Sequence, residues 1–148
     1  MAFGLVGLLL GATMLAPQGG MAHSARIDHR TGTVQTDYTA DVQVTHQQIG
    51  TVGAGGRPST LRCLWRAGLV VERQARHASG STLARSFIQD RIVEGSRPGW
   101  CSTQKTAIAD EVARRSDMLQ ARLVQLAQED HPVLHAEIDR MHGTMQAG

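Results

Sequence analysis

Apolar and polar side chains alternate between residues 33 and 47. One set is mainly apolar or small and consists of Val34, Thr36, Tyr38, Ala40, Val42 and Val44. The other set is entirely polar and consists of Gln35, Asp37, Thr39, Asp41, Gln43 and Thr45. A repeat of two residues places successive side chains on opposite faces of a β-strand. We therefore predict a long, half-buried strand with one polar face over residues 33–47.

A second alternating segment covers residues 60–77. Its apolar face consists of Leu61, Cys63, Trp65, Ala67, Leu69 and Val71. The glycine-rich stretch between the two segments, residues 48–59, is typical of a hairpin loop. Residues 82–94 have apolar positions that fit either a strand or a helix face, and the turn-like residues 77–81 in front of them favour a third strand.

The last third of the chain has the spacing of a helix. Apolar residues recur with a period of 3.6 and form one stripe, namely Ile108, Val112, Leu119, Leu123 and Leu126. Residues 95–99 are rich in Gly and Pro, and Ser102 after them is a suitable N-cap. We predict a helix over residues 103–129. Residues 130–132 end it because proline lacks an amide hydrogen, and a second helix is predicted over 132–142.

These elements predict an α+β fold, in which an antiparallel β-meander of about three strands carries a long C-terminal helix on one face. The only cysteines are Cys63 and Cys101. An even number of cysteines in a small exported domain indicates a disulfide, although free buried thiols and a two-cysteine metal site are alternatives. The bond would join the start of the helix to the middle of the sheet.

Residues 2–16 form an apolar run without a charged residue. As a helix this run is about 22 Å long, shorter than the hydrocarbon core of about 30 Å. It matches a signal peptide over residues 1–22 that is cleaved after Ala22 or Ser24, although no Lys or Arg precedes it. We expect residues 23–148 to be a single exported domain, periplasmic or secreted, without a transmembrane segment.

The charge of the chain is unevenly distributed. The 148 residues have a net charge of +2, but residues 42–89 contain six Arg and one acidic residue, Glu72. Arg62 and Arg66 fall on the polar face and indicate a surface for an anionic partner. The alternative is internal pairing of a basic sheet with acidic helices, and folding the strands about the loop centre places Asp41 near Arg66. Aromatic residues make up only 3% of the chain, so no stacking platform for nucleic acid is expected.

Four side chains near the C terminus have the spacing of metal ligands: His131, His135, Asp139 and His142. Intervals of four, four and three residues place them on one helix face, where imidazoles and a carboxylate can share Zn or Cu. The alternative is a solvated polar face. His23 becomes the first residue after a cut at Ala22, and an N-terminal histidine resembles the histidine brace of copper proteins such as lytic polysaccharide monooxygenases.

The sequence contains no convincing catalytic set. The segment from Ser102 to Lys105 is similar to the Ser-x-x-Lys motif of penicillin-binding proteins, but the Ser-Asp-Asn and Lys-Thr-Gly motifs of that family do not occur. We therefore predict a small exported non-catalytic module that binds or supports an envelope component or a protein partner. The alternative is an exported metal-binding protein. No feature of the sequence fixes an oligomeric state.

Overall fold

The computed structural model describes residues 20–146. They form a four-stranded antiparallel sheet followed by two helices. The strands are β1 (Met21–His29), β2 (Gly32–Ile49), β3 (Arg62–His77) and β4 (Thr82–Pro98), and the helices are α1 (Cys101–Arg114) and α2 (Ser116–Gln146). The order in the sheet is β1-β2-β3-β4, so each strand pairs with the next one along the chain. The α+β meander with a long C-terminal helix is confirmed, with four strands where about three were predicted.

Strand β1 is the element that the sequence prediction missed. It pairs with β2 along its whole length. Among its inward-facing residues only Ile27 is a fully buried large aliphatic residue, so its alternation is too weak to be recognised. The predicted leader, residues 1–22, lies outside the described residues except for its last three, and β1 begins within these at Met21.

The three predicted strands correspond to β2, β3 and β4. Residues 82–94, for which the spacing allowed both a strand and a helix, are a strand that continues to Pro98. Gly95 lies opposite Trp65 in this extension. It leaves room for the indole ring, because a Cβ atom at that position would lie 2.6 Å from the ring of Trp65. The β3–β4 register shifts near Arg91, whose positive φ of 52° marks a β-bulge.

The helices break at a different place from the one predicted. Arg115 is a non-helical joint with φ −102° and ψ 18°, and α2 then runs without interruption through Pro132. The predicted break at 130–132 is wrong because Asp130 is buried and bound to arginines of the sheet, which hold the helix across that point. Within residues 20–146, neither helix combines the length and the apolar character needed to cross a bilayer.

The helices cover one face of the sheet through two apolar clusters. The larger cluster joins β2, β3 and β4 to α1 and the first half of α2, and includes Tyr38, Trp65, Leu69, Ile108 and Leu123. The smaller cluster lies under the second half of α2 and contains Ile27, Val34, Ala75, Leu134 and Ile138. The outward residues of β2 between 35 and 47 are all exposed, so the opposite face of the sheet is open.

The disulfide between Cys63 and Cys101 is present and joins residues 38 positions apart. Cys63 is the second residue of β3 and Cys101 is the first residue of α1. The bond therefore ties the helix start to one end of the sheet and not to its middle. Gln48 reinforces the junction, because its Nε2 donates to the Gly99 carbonyl at 3.2 Å and its Oε1 accepts from the Cys101 amide at 2.6 Å.

Candidate functional site

The open face of the sheet carries a groove at the disulfide end, with a volume of about 480 Å³. Three adjacent strands line it, with side chains that include Thr45, Gln47, Leu64, Arg66, Glu94 and Ser96. The groove forms where alternation sends polar residues to the uncovered face. It is therefore a concave, mixed polar surface of the kind that accepts a ligand.

Two arginines of β3 are oriented by hydroxyl groups of neighbouring strands. Arg66 lines the groove, and Arg62 lies beside it, bonded to the lining residue Ser96. Arg66 Nε donates to Thr45 Oγ1 at 3.1 Å, and Arg62 Nε donates to Ser96 Oγ at 2.8 Å. In the described part of the chain, the terminal nitrogens of both guanidinium groups have no hydrogen-bond partner. The predicted neighbour Asp41 is not involved, since the register places Thr45 opposite Arg66.

Acidic residues compensate only one of the two arginines. Asp90 Oδ2 lies 3.6 Å from Arg66 Nε, and Glu94 is opposite Arg66 in the register. For Arg62, the described residues supply no ion pair. Since residues four apart on a strand are separated by about 13 Å, the site presents two oriented cationic groups at that spacing.

A second ionic cluster is buried between the sheet and α2. Arg73 has no exposed surface; its Nε lies 3.2 Å from Asp130 Oδ2, and its NH2 group lies 2.7 Å from Glu137 Oε2. Arg85 binds the other carboxylate oxygen of Asp130, and the Tyr38 hydroxyl donates to Asp130 at 2.8 Å. Basic residues of the sheet therefore pair with acidic residues of α2 at these positions, as the alternative interpretation of the charge distribution predicted.

Sequence reasoning did not single out this buried cluster. The available signal was Arg73, which continues the inward set of β3 where an apolar residue is expected. Burial, together with the hydrogen bond to Asp130, raises the pKa of the Tyr38 hydroxyl far above its usual range, so Tyr38 stays a donor. Because Arg73 and Asp130 are buried and the cluster is internally paired, we assign it to the positioning of α2.

The structure does not bring the four predicted metal ligands of α2 together: His135 and Asp139 lie next to His29 of β1, whereas His142 lies next to His77 of β3. The ring of His135 lies 5.1 Å from that of His29, centroid to centroid. Asp139 Oδ1 lies 3.0 Å from His29 Nε2. The ring of His142 lies 5.3 Å from that of His77. Sequence reasoning did not anticipate the two strand-end histidines.

Two hairpin turns of the same His-x-(Ser/Thr)-Gly form, residues 29–32 and 77–80, contain these strand-end histidines. In each turn the histidine Nδ1 accepts a hydrogen bond at 3.1 Å from the amide two residues later, that of Thr31 or Ser79. A neutral ring whose Nδ1 accepts has its proton on Nε2. The first ring therefore donates to Asp139, and the second donates to Thr31 Oγ1 at 3.0 Å.

This tautomer affects the metal hypothesis, because a metal ion at Nε2 of either turn histidine would require the proton to move to Nδ1, against a backbone N–H. Within residues 20–146, no group of three or more His, Cys, Asp or Glu side chains is arranged to hold a metal ion. Burial, followed by the proximity of His142 and His29, lowers the pKa of His77. The predicted Zn or Cu site therefore stays a prediction.

His131 lies in the same row of histidines and connects it to β1. Its Nε2 is buried and lacks a hydrogen-bond partner among the described residues. Burial lowers the pKa of His131 against the opposing effect of Asp130, and the neighbouring His135 and His23 lower it further. His23 of β1 is therefore close enough to affect the charge of His131.

The Ser-x-x-Lys segment at the start of α1 shows no catalytic geometry. Trp100 is the N-cap of α1 and makes no side-chain capping bond, so Ser102 is not the N-cap that the sequence suggested. Ser102 and Lys105 are both exposed, and the hydrogen bonds of residues 20–146 do not connect them.

No family model, curated protein or solved structure matches this chain.

Proposed function

We propose that this protein is a small exported, non-catalytic binding module that holds an anionic envelope component or partner in the groove of the open sheet face. One observation carries the proposal. Arg62 and Arg66 are each oriented through Nε by a hydroxyl group, while their terminal nitrogens have no partner among the described residues. Guanidinium groups fixed in this way are suited to bidentate recognition of carboxylate or phosphate.

The lining of the groove narrows the chemistry of the ligand. Leu64 lies between the two arginines along β3, and Gln47 and Ser96 are opposite it on the neighbouring strands. The surface thus offers an apolar and neutral stretch between two oriented guanidinium groups about 13 Å apart, of which only that of Arg66 has an acidic neighbour, Asp90. An extended ligand with two carboxylate or phosphate groups at that separation matches it best.

Two features support an exported location. The disulfide fits an oxidising compartment, because cytosolic thiols are kept reduced. The apolar run at residues 2–16 has the length of a signal-peptide core. A periplasmic or secreted protein has access to the anionic polymers and acidic proteins that the groove would bind.

The proposal is tested by titrating the disulfide-bonded protein with oligoglutamate as the carboxylate probe and recording amide shifts by NMR. We expect shifts concentrated on the groove strands and weaker binding as salt is added. The double substitution Arg62→Gln and Arg66→Gln removes two charge-assisted contacts, so the affinity should fall by at least about tenfold.

A matched control uses Arg26→Gln with Arg76→Gln, which makes the same charge change on the open face at the opposite end of the sheet. Both residues are exposed and both neighbour Gln35 in the register. The control should bind oligoglutamate like the wild type. Equal losses in the two double variants, or no binding by the wild type, would exclude the groove as the site.

Metal binding is a second candidate function, and one observation favours it. The buried, unpartnered Nε2 of His131 lies on the helix face shared with His135 and near His23. Calorimetric titration with Zn²⁺ and Cu²⁺ tests it directly. Stoichiometric binding that is lost in His135→Ala supports the candidate, whereas no binding, or equal binding by the variant, eliminates it.

A further inference from the structure

The end of the molecule next to the groove exposes several large apolar side chains. Val52 in the β2–β3 loop is 62% exposed, Trp100 ahead of α1 is 49% exposed, and Ile49 at the end of β2 is 38% exposed. We call this surface the loop end, formed by residues 48–62 and 98–105. Nothing in the described fold covers these three side chains, although the core is otherwise well buried.

The two segments of the loop end form a single, fixed surface. The Gly99 amide donates to the Leu61 carbonyl at 2.9 Å. Gln48 Nε2 donates to the Arg62 carbonyl at 3.1 Å and to the Gly99 carbonyl at 3.2 Å. The disulfide adds a covalent link between the same segments. The exposed apolar side chains are therefore presented by an ordered scaffold.

The charged residues of the loop end have one sign. The loop end contains Arg57, Arg62 and Lys105, all exposed, and no Asp or Glu. The nearby Arg97 is engaged by Glu111 at 3.4 Å, so its charge is compensated internally. A surface that combines exposed apolar residues with cations and contains no acidic residue is complementary to one that is anionic outside and apolar beneath.

We propose that the loop end docks onto the anionic phospholipid surface of a membrane. Trp100 would lie at the headgroup level, where the amphipathic indole is favoured. Val52 would enter the acyl boundary, and Arg57, Arg62 and Lys105 would meet headgroup phosphates. The proposal rests on the anionic-ligand function of the groove, because Arg62 belongs to the loop end and also lies at the edge of the groove, bonded to Ser96. It names the phospholipid headgroup as the source of the anion.

A lipid surface fits the loop end better than a protein partner does. The loop end exposes only three large apolar side chains, whereas a stable protein interface involves about 20–30 residues a side in a contiguous, well-packed area. A tryptophan accompanied by basic residues favours the interface of an anionic bilayer. A protein partner would instead give one-to-one binding that does not require lipid.

The experiment uses the disulfide-bonded protein with vesicles of equal parts phosphatidylglycerol and phosphatidylcholine, and vesicles of phosphatidylcholine alone. The chain has two tryptophans, and Trp65 is only 2% exposed, so a blue shift of the emission reports Trp100. We expect co-flotation and a blue shift with the anionic vesicles only, both reversed by high salt.

Substitutions locate the contact. Val52→Ser and Arg57→Gln should each reduce partitioning, by about fivefold for the loss of one cation. Ile88→Ser is the matched apolar control, since Ile88 is 68% exposed on the open face outside the loop end. The control should partition like the wild type. Equal losses in Ile88→Ser and Val52→Ser would overturn the proposal.

Further outcomes of these experiments distinguish a failure of membrane docking from a failure of the proposed groove function. Binding of oligoglutamate without binding of anionic vesicles overturns membrane docking and leaves the groove function intact. Binding to neither probe overturns both. If glycerol phosphate at millimolar concentration displaces the protein from vesicles completely, a free phosphate compound is the ligand and membrane docking is rejected.

Discussion

His29 and His77 occupy the same position in two neighbouring hairpin turns, and one hydroxyl group joins their rings. Thr31 Oγ1 lies 2.7 Å from His29 Nδ1 and 3.0 Å from His77 Nε2. The chain of hydrogen bonds continues from His29 to Asp139 on α2. Because both Nδ1 atoms accept backbone N–H bonds, the arrangement requires the neutral form at His77. It therefore makes the docking of α2 sensitive to protonation.

The first prediction concerns the pH dependence of stability. Burial and the nearby His142 and His29 hold the pKa of His77 below its usual 6.5. The unfolded chain then takes up a proton before the folded chain does, so the free energy of unfolding is highest above pH 6.5 and declines as the pH falls below it. The decline stops below the folded-state pKa. Urea unfolding at pH 7.5, 6.5, 5.5 and 5.0 measures this dependence.

Two variants identify the group responsible. In His77→Gln the amide oxygen can still accept from Ser79 and the amide nitrogen can still donate to Thr31, but the side chain does not titrate. Its stability should depend less on pH than that of the wild type. His46→Gln, at an exposed position of β2, should keep the wild-type dependence. The same slope in all three proteins would show that His77 does not control it.

The second prediction concerns the buried ionic cluster. Asp130→Ala leaves Arg73 and Arg85 without their shared carboxylate, and Arg73 has no exposed surface. Removing one partner from a buried pair costs about 3–5 kcal/mol of unfolding free energy. Glu129→Gln on the same helix removes an exposed pair with Arg122 and should cost about 1 kcal/mol or less. Guanidinium unfolding compares them, and similar losses would contradict the assignment.

The sequence predicted the strands whose inward face consists of apolar residues. The inward residues of β3 from Cys63 to Val71 are all apolar, so the period of two was clear. In β1 the corresponding positions include His23, Ala25 and His29, which face the polar side of α2. A strand that packs against histidines lacks the hydrophobic alternation by which strands are recognised.

The same limit applies to long-range pairing. Asp130 and Pro132 have a local preference to end a helix, but ion pairs from Arg73 and Arg85 hold α2 continuous at this point. Arg66 was recognised as a candidate from charge alone, whereas its true partner Thr45 required the register. A hairpin loop of twelve residues does not fix that register.

The third prediction compares two glycines that differ in their surroundings. A Cβ atom at Gly95 would lie 2.6 Å from the ring of Trp65, so Gly95→Ala should lower the unfolding free energy by about 1–3 kcal/mol through overpacking. At Gly143 of α2 a Cβ atom meets nothing within 4 Å, so Gly143→Ala should raise it by about 0.5–1 kcal/mol. Thermal unfolding measures the direction of each change in stability. The near-UV circular dichroism spectrum should change only for Gly95→Ala.

The last prediction concerns the disulfide between Cys63 and Cys101. Closing a 38-residue separation restricts the unfolded chain, so replacing both cysteines by Ala should lower the free energy of unfolding by about 4 kcal/mol. The fold should persist, because Gln48 still binds the segment before α1. Ile108 also remains fully buried in the larger apolar cluster.

The loss of stability should be concentrated in α1 and should affect the rest of the domain less. Since the bond holds the first residue of α1, hydrogen exchange of the α1 amides should accelerate more than that of the α2 amides beneath Leu134 and Ile138, which pack in the separate smaller cluster. Adding Gln48→Ala to the double cysteine variant should enhance this difference, because no other described side chain bonds to the Cys101 amide. Uniform acceleration over both helices would mean that the disulfide stabilises the whole domain and does not position α1.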